Sequence, residues 1–555
     1  MKKTMMRLLA VSLAMTMLTA CGGKSGTSGA SGTNEGNKSG GETASGTAGE
    51  GWKTTYGDKQ FDNVTITVEL FDRSNAPSGS TILENRWTKY AQEQMAKVGI
   101  NVEYVAVPRS DEITKMQTMM ASGTAPDITL TYTYSYAEDY YKDGGIWDLS
   151  EFIDGEDQAK NLKAYLGEDV LNIGRGPEAL YGIVARRSTT ANSNLFIRQD
   201  WLDALGMSTP TTPDELYAYL EACVKNNPDG QSNVLGGYFW GLESTSTGTG
   251  FRNNMTMAFS QIASDLKKTD IANGFEYYCD PGYREYLRFL NKCYNNGLMN
   301  KEFYAGTTET FVQQIVNGQL AFYESNVNYN VDPLRNSPET TLRENNPKAK
   351  FVSIPNLLNV NDGKQYADAY NAGGLIIMCP KTASAEKVEA CMTYLDWMAT
   401  EEGGFVLYHG FEGEHYKMDD AGVPVVIDAA YNATDKDWIR TDMFLVGNQG
   451  YFATVDDFNK CTAAENPIYY DDVVANYTNS LTGTILNKPS FNSETETEIK
   501  DDILLLRSKY QVQCITCAEG DMDGIYDEWL AESEKAGIEK VIEERTAYFD
   551  EIYAK

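Results

Sequence analysis

Val64-Thr65-Ile66-Thr67-Val68-Glu69-Leu70 alternates apolar and polar positions, the pattern of a half-buried strand. The segments immediately downstream set the fold class. Leu83, Trp87, Tyr90, Ala91, Met95 and Val98 recur at helical spacing, and Gly99 stops the run. Ile100 to Val107 reads as a second strand, rich in β-branched residues and bounded by Pro108. Ile113, Met116, Met119 and Met120 mark another helix, which ends at Gly123, and Asp127 to Leu130 is a short third strand. The order β-α-β-α-β predicts a parallel sheet with helices on its faces. Ligands of such sheets sit beyond the carboxyl ends of the strands. Thr131-Tyr132-Thr133-Tyr134-Ser135-Tyr136 comes after the third strand at that place. Its alternation of Tyr and hydroxyl residues is equally compatible with an extension of the strand.

Upstream, Lys2, Lys3 and Arg7 precede an apolar run from Leu8 to Ala20 that is too short to span a bilayer. This is the anatomy of a secretory signal peptide over residues 1–20. Leu18-Thr19-Ala20-Cys21 resembles the bacterial lipobox, which implies that Cys21 becomes the lipidated N-terminus. Each buried acyl CH2 favours the membrane by about 0.8 kcal/mol, so several chains hold firmly. Residues 22–51 are almost all Gly, Ser, Thr, Ala, Asn, Lys and Glu, a composition that cannot offset its ordering entropy. Residues 21–51 are therefore expected to be a lipidated Cys with a flexible tether.

The 555 residues carry a formal charge of -32, which argues against nucleic acid as a partner and against an electrostatic footing on anionic lipid. The length fits two to four domains. His409 and His415 are the only histidines, too few for His-dependent hydrolysis or a His-rich metal centre. Tyr is abundant, at 35 residues, and suits amphipathic ligands at low entropic cost. Nine cysteines are present. Cys514-Ile515-Thr516-Cys517 lacks the second pair that a zinc centre needs, which leaves a small loop disulfide or plain thiols. No GxxxxGK[ST], GxSxG or HExxH occurs. Paired glycosidase carboxylates are not excluded in so acidic a chain. Thr212-Pro213-Asp214-Glu215 opens a capped helix with Leu216, Tyr219, Leu220 and Cys223 inward. Ser384 to Ala399 and the segment from Ile538 are further helices.

Several blocks together resemble the sugar-type extracellular solute-binding proteins of bacterial ABC transporters. Gly123-Thr124-Ala125-Pro126-Asp127-Ile128 is similar to their "G-x-x-P-D-I/V" segment. Leu180-Tyr181-Gly182-Ile183 and Phe196-Ile197-Arg198-Gln199-Asp200-Trp201-Leu202 resemble their "YGIP … IRKDWLDKLG" block, which the capped helix at Thr212 continues. Tyr394-Leu395-Asp396-Trp397-Met398 to Glu401-Glu402-Gly403, then Gly410-Phe411-Glu412-Gly413-Glu414-His415-Tyr416, resemble "LDWMYSEEG … GIEGKHY". Glu528-Trp529-Leu530 and Ala536-Gly537-Ile538-Glu539 are similar to the C-terminal helices of that family. The resemblance covers nearly all of the chain after the tether.

The resemblance implies a periplasmic-binding-protein-like α/β fold: two lobes, a ligand cleft between them and crossing hinge segments. The expected division is 52–184 with 350–400 for the N-terminal lobe, and 185–349 with 401–555 for the C-terminal lobe. The first crossing is expected near Gly182 to Ala191. The implied function is capture of a carbohydrate, an oligosaccharide first of all, for ABC permease subunits, by a monomer lipid-anchored on the outer face of the membrane. No catalysis and no cofactor are implied. A binder of peptides or other solutes, a surface glycoside hydrolase or lyase, and a purely structural lipoprotein are the rivals. A sugar offers flat apolar faces for Tyr134, Tyr136, Trp147, Trp240 and Tyr329, and hydroxyl or acid groups for Arg187, Asn326 and Asn371. Several relatives carry a calcium loop after the capped helix. This chain has Asn227-Pro228-Asp229-Gly230-Gln231 there, so Asp229 is the one candidate metal ligand left.

Overall fold

The computed structural model describes residues 51–554, apart from 177–178, 240–241, 243–251, 332–336, 421, 449, 453, 465–468 and 486–493. Trp240, Cys21, the leader and almost all of the tether lie outside the described residues. Val64–Asp72 (β1) pairs in parallel with Ile100–Pro108 (β2), Val64 opposite Ile100. On its other edge the Ile128 amide donates to the Thr67 carbonyl at 3.0 Å, and Thr129–Thr131 (β3) continues from there. The crossovers are helices Arg86–Ala96 (α1) and Glu112–Ser122 (α2), so the predicted β-α-β-α-β order is present. α1 begins after Leu83 because Asn85 caps it: the Asn85 side chain accepts from the Trp87 and Thr88 amides. Gly99 is required by space as well as by its φ of +76°, since a Cβ there would lie 2.1 Å from the Phe61 carbonyl oxygen.

β3 does not extend through the tyrosines. It ends at Thr131, and Tyr134–Lys142 is a helix (α3) that starts at the carboxyl end of the strand. The chain then reaches Ile183–Arg187 (β4), Ser193–Arg198 (β5), Leu235–Tyr238 (β6), Leu320–Asn326 (β7), Phe351–Ile354 (β8), Ala367–Asp368 (β9) and Gly373–Met378 (β10). β10 inserts between β3 and β4, antiparallel to both, and Gly447–Asn448 lines the far edge of β4. A separate sheet runs β6-β7-β5-β8.

Each sheet has its own core. The first gathers Ile66, Trp87, Ile183, Ile377, Trp397, Leu407 and Phe444. The second gathers Leu195, Trp201, Tyr219, Phe322, Ile354, Tyr510 and Trp529. These memberships differ from the expected lobe boundaries. Residues 351–354 stay in the second lobe because β8 pairs with Leu195–Arg198 of β5. Residues from 401 to 446 belong to the first lobe, since Leu407, Ile439 and Met443–Val446 lie in its core. The first crossing narrows to 188–192, and Gly182 instead precedes β4 inside the first sheet.

Helix Pro213–Asn226 keeps its expected cap, with Thr212 accepting from the Glu215 amide at 3.2 Å. Helix Ala385–Met398 is buried on every side from Val388 onward rather than along one stripe. Its Asp396 carboxylate is sustained inside the lobe by the Tyr56 and Leu162 amides at 2.8 and 2.9 Å. Cys514 lies in the last turns of helix Glu494–Thr516, and the Cys517 thiol donates to its carbonyl, so the pair forms no loop disulfide. The cysteines of the described residues are free thiols.

Asp229 is not set up for calcium. The fully buried Arg198 places one terminal nitrogen 2.6 Å from both Asp200 and Asp229, and Asn346 donates to Asp229 at 3.1 Å. Its carboxylate neutralises a guanidinium, and among the described residues no three His, Cys, Asp or Glu side chains converge to hold a metal. Replacing one partner of a buried ion pair strands the other, at about 3–5 kcal/mol. Arg198→Ala is therefore expected to lower stability by about that amount in chemical denaturation, and added calcium is expected to restore none of it.

Candidate ligand site

The carboxyl ends of β1 to β4 and the amino end of β10 form one rim. The first residues after two strands are arginines: Arg73 after β1 and Arg109 after β2. Arg73 makes a bidentate pair with the buried Asp442, at 2.8 to 3.1 Å. Arg109 binds Glu112 at 2.5 Å, and its guanidinium lies 4.7 Å from the centre of the Tyr132 ring. Burial raises the Tyr132 phenol above its ordinary pKa, while Arg109, Arg73 and Arg187 all oppose the rise. Arg109 lies over the Tyr132 ring, and Arg73 and Arg187 act on the same phenol electrostatically. Burial also raises Tyr134, with Arg187 opposing.

Of the residues expected from sequence, the fold brings three into this rim. The Tyr134 hydroxyl donates to the Gly374 carbonyl at 2.6 Å. Arg187 Nε donates to the Gly373 carbonyl at 2.8 Å, and its guanidinium stacks 4.4 Å from the centre of the Tyr370 ring. Asn371 Oδ1 accepts from the Gly373 amide at 2.9 Å and so shapes the start of β10. A Cβ on Gly373 would lie 2.8 Å from the Tyr134 hydroxyl and 2.7 Å from Val184, so the close approach needs glycine. Tyr136, half-buried on α3, stacks loosely on Tyr140.

The others sit elsewhere. Trp147 is at the opposite end of the first sheet, because its amide binds the Cys379 carbonyl just past the end of β10. Its indole donates to Ala383 and is covered by Lys381, so it is spent on packing. Tyr329 stacks on Phe311 and meets Tyr323 edge to face in a small cluster of the second lobe. Asn326 ends β7 opposite Ser193, beside the first crossing. Sequence reasoning passes over Arg73, Arg109, Tyr370 and Asp442, and names Tyr132 only as part of the segment after the third strand. The first two are within its reach, since each directly succeeds a predicted strand where ligands of such sheets bind.

The crossings are tied down on the second-lobe side by a buried polar network. The Tyr370 amide donates to the Thr190 carbonyl at 2.9 Å, joining crossings 188–192 and 369–372. Asp368 accepts from Asn192 at 3.0 Å and from Arg252 at 2.8 Å. The Asn254 side chain accepts from the Asp368 amide, and the Asn254 amide donates to Glu324 at 2.7 Å.

Comparison with known proteins agrees with this architecture. The sequence pattern of the family described as bacterial extracellular solute-binding protein matches residues 89–408. The polygalacturonan/rhamnogalacturonan-binding protein YtcQ of Bacillus subtilis strain 168 is 24% identical over 477 residues, 81% of this chain and 86% of that protein. Lipoprotein LipO of the same organism is 24% identical over 328 residues, 58% of this chain and 62% of that protein. Among solved structures, an HMO-binding, ABC-transporter-associated solute-binding protein from Bifidobacterium longum infantis superposes with a TM-score of 0.64. It is 16% identical, and the match covers 89% of this chain and 100% of that one.

Burial pushes the Glu324 carboxyl up to about 8, and Glu69 likewise to about 8. Unfolded, each ionises near 4.5. The folded state therefore holds protons that the unfolded chain releases. Their contribution is fully present below about pH 4.5 and is lost as pH rises toward about 8. Glu324→Gln keeps an acceptor for Asn254 and removes one titration. Its denaturation midpoint is expected to fall less steeply than wild type between those pH values; an unchanged slope would contradict the burial of this acid.

Proposed function

This chain belongs to the bacterial extracellular solute-binding proteins, and on that footing we propose that it captures an oligosaccharide between its two lobes and hands it to an ABC permease. The observation that carries this reading is the rim itself. Aromatic and guanidinium groups from five strand ends gather beside the crossing segments, with Tyr132, Tyr134 and Tyr370 supplying faces and hydroxyls. Sugar rings need that combination of flat apolar surface and directional polar partners. Its similarity to a polygalacturonan/rhamnogalacturonan-binding protein over most of both chains points the same way.

We read the site as a binder without catalysis. A glycosidase needs one carboxyl free to act as acid. At this rim Asp442 and Glu112 are each held by an arginine. The crossings 188–192 and 369–372 are the hinge in this reading, and ligand shifts the population toward closed lobes by binding them better. Cys21 carries the lipid anchor on the outer face of the membrane, and the protein acts as a monomer. A Gly- and Ser-rich chain of about 30 residues, the composition that follows Cys21, would reach about 30 Å root-mean-square as a random coil, enough to keep the lobes near a permease. Its similarity to a lipoprotein supports that placement.

Thermal-shift and calorimetric screening against oligosaccharides, with chromatography of the incubated sugar, tests the proposal. The expected result is a raised melting temperature with the sugar recovered intact. Product release would make the protein an enzyme, and no shift across a broad saccharide panel would sink the sugar reading. Tyr370→Ala is expected to weaken binding about tenfold, equivalent to about 1.4 kcal/mol.

A further inference from the structure

The chain has 79 acidic residues against 47 basic ones, so a cation without an acidic partner calls for a reason. Arg186 and Arg187 are both half-buried, and neither has a carboxylate partner among the described residues. Arg186 is accounted for. Its guanidinium donates to the Tyr165 carbonyl at 2.9 Å and packs over the Tyr165 ring. Arg187 is not. Nε is used on the Gly373 carbonyl and one face is covered by Tyr370, but Nη1 and Nη2 have no hydrogen-bond partner among the described residues. The neighbouring cations differ, because Arg73 and Arg109 are each neutralised by an acid. Among these three rim arginines, Arg187 alone has its charge unbalanced.

A half-buried guanidinium with an open pair of N–H groups matches a carboxylate in a planar, two-bond geometry. Position adds to chemistry. Arg187 is the last residue of β4 before the first crossing, and Tyr370 lies in the second crossing. A sugar ring lying on Tyr370 would carry its substituents next to the open N–H pair, with the Tyr134 hydroxyl within the same group. We infer that Arg187 receives a carboxylate of the bound saccharide, so that the ligand is an acidic, uronate-containing oligosaccharide rather than a neutral one. This inference rests on the saccharide-binding reading above.

Titration calorimetry of the full chain against galacturonic, mannuronic, guluronic and glucuronic oligosaccharides, each beside its carboxyl-reduced neutral counterpart, separates the two claims. At least one acid is expected to bind about tenfold or more tighter than its reduced form, the margin of one charge-assisted bidentate contact. Arg187→Gln is expected to shrink that ratio to about twofold by weakening the acid alone. Arg187→Lys, which keeps the charge and loses the fork, is expected to fall between the two. The control Arg86→Gln, on the surface beside Glu414, is expected to keep the full ratio. Melting temperatures identify any variant that fails to fold, and the remaining Arg187 variant then decides. Equal or tighter binding of the reduced sugars by the wild type, or an unchanged ratio in a folded Arg187 variant, overturns the inference and leaves the saccharide reading standing. Failure to bind any acidic or neutral saccharide overturns both.

Discussion

Gly373–Met378 is hydrogen-bonded to β3 on one side and to β4 on the other, and this double pairing governs the architecture. The residues of the strand are all buried, so its amides and carbonyls would be costly to leave without partners. The chain leaves the first sheet after Arg187, builds a second lobe, and must return to fill that gap. The departing and returning segments therefore run side by side, with the Arg187 amide donating to the Ala372 carbonyl and the Tyr370 amide donating to the Thr190 carbonyl. Gly447–Asn448 adds a third passage on the far edge of β4. The crossings and the rim of strand ends are two consequences of one strand insertion.

Polar burial results from the same geometry. Segments that pass between two cores cannot satisfy their polar groups within either sheet alone. Asn192, Asn254, Arg252, Asp368 and Glu324 close those bonds in one connected network. Two of its atoms, Arg252 Nη1 and Glu324 Oε2, are buried without a hydrogen-bond partner among the described residues, so the network is connected but not fully satisfied. It fixes the second-lobe end of the crossings, whereas the first-lobe end is held by sheet pairing.

Net charge and site charge point in opposite directions. The chain is strongly acidic, at -32. Its rim is nevertheless built from Arg73, Arg109 and Arg187. Fields of exposed carboxylates fade within about 8 Å at physiological ionic strength. Charges on partly buried groups such as the Arg187 guanidinium are screened far less. The overall acidity therefore governs solubility and says little about what binds.

Local structure and family were legible in the linear chain. Strand alternation from Val64, helical spacing from Trp87, the Thr212 cap and the stops at Gly99 and Gly123 depend on neighbours within about one turn or one pleat, which a linear reading contains. Charge and residue chemistry also singled out Arg187, Tyr134 and Asn371. Trp147 lies at the other end of the sheet from these residues, because residue type does not say at which end of a strand a side chain falls. The lobe boundary fell at 350 because the β8 strand pattern does not say which sheet it will join. Those points waited on the packed chain, along with the meeting of Arg73, Arg109, Tyr132, Arg187, Tyr370 and Asp442. These residues span about 370 positions. Only backbone hydrogen bonds between strands far apart in the chain bring them to one rim, and side-chain pattern carries no record of that pairing.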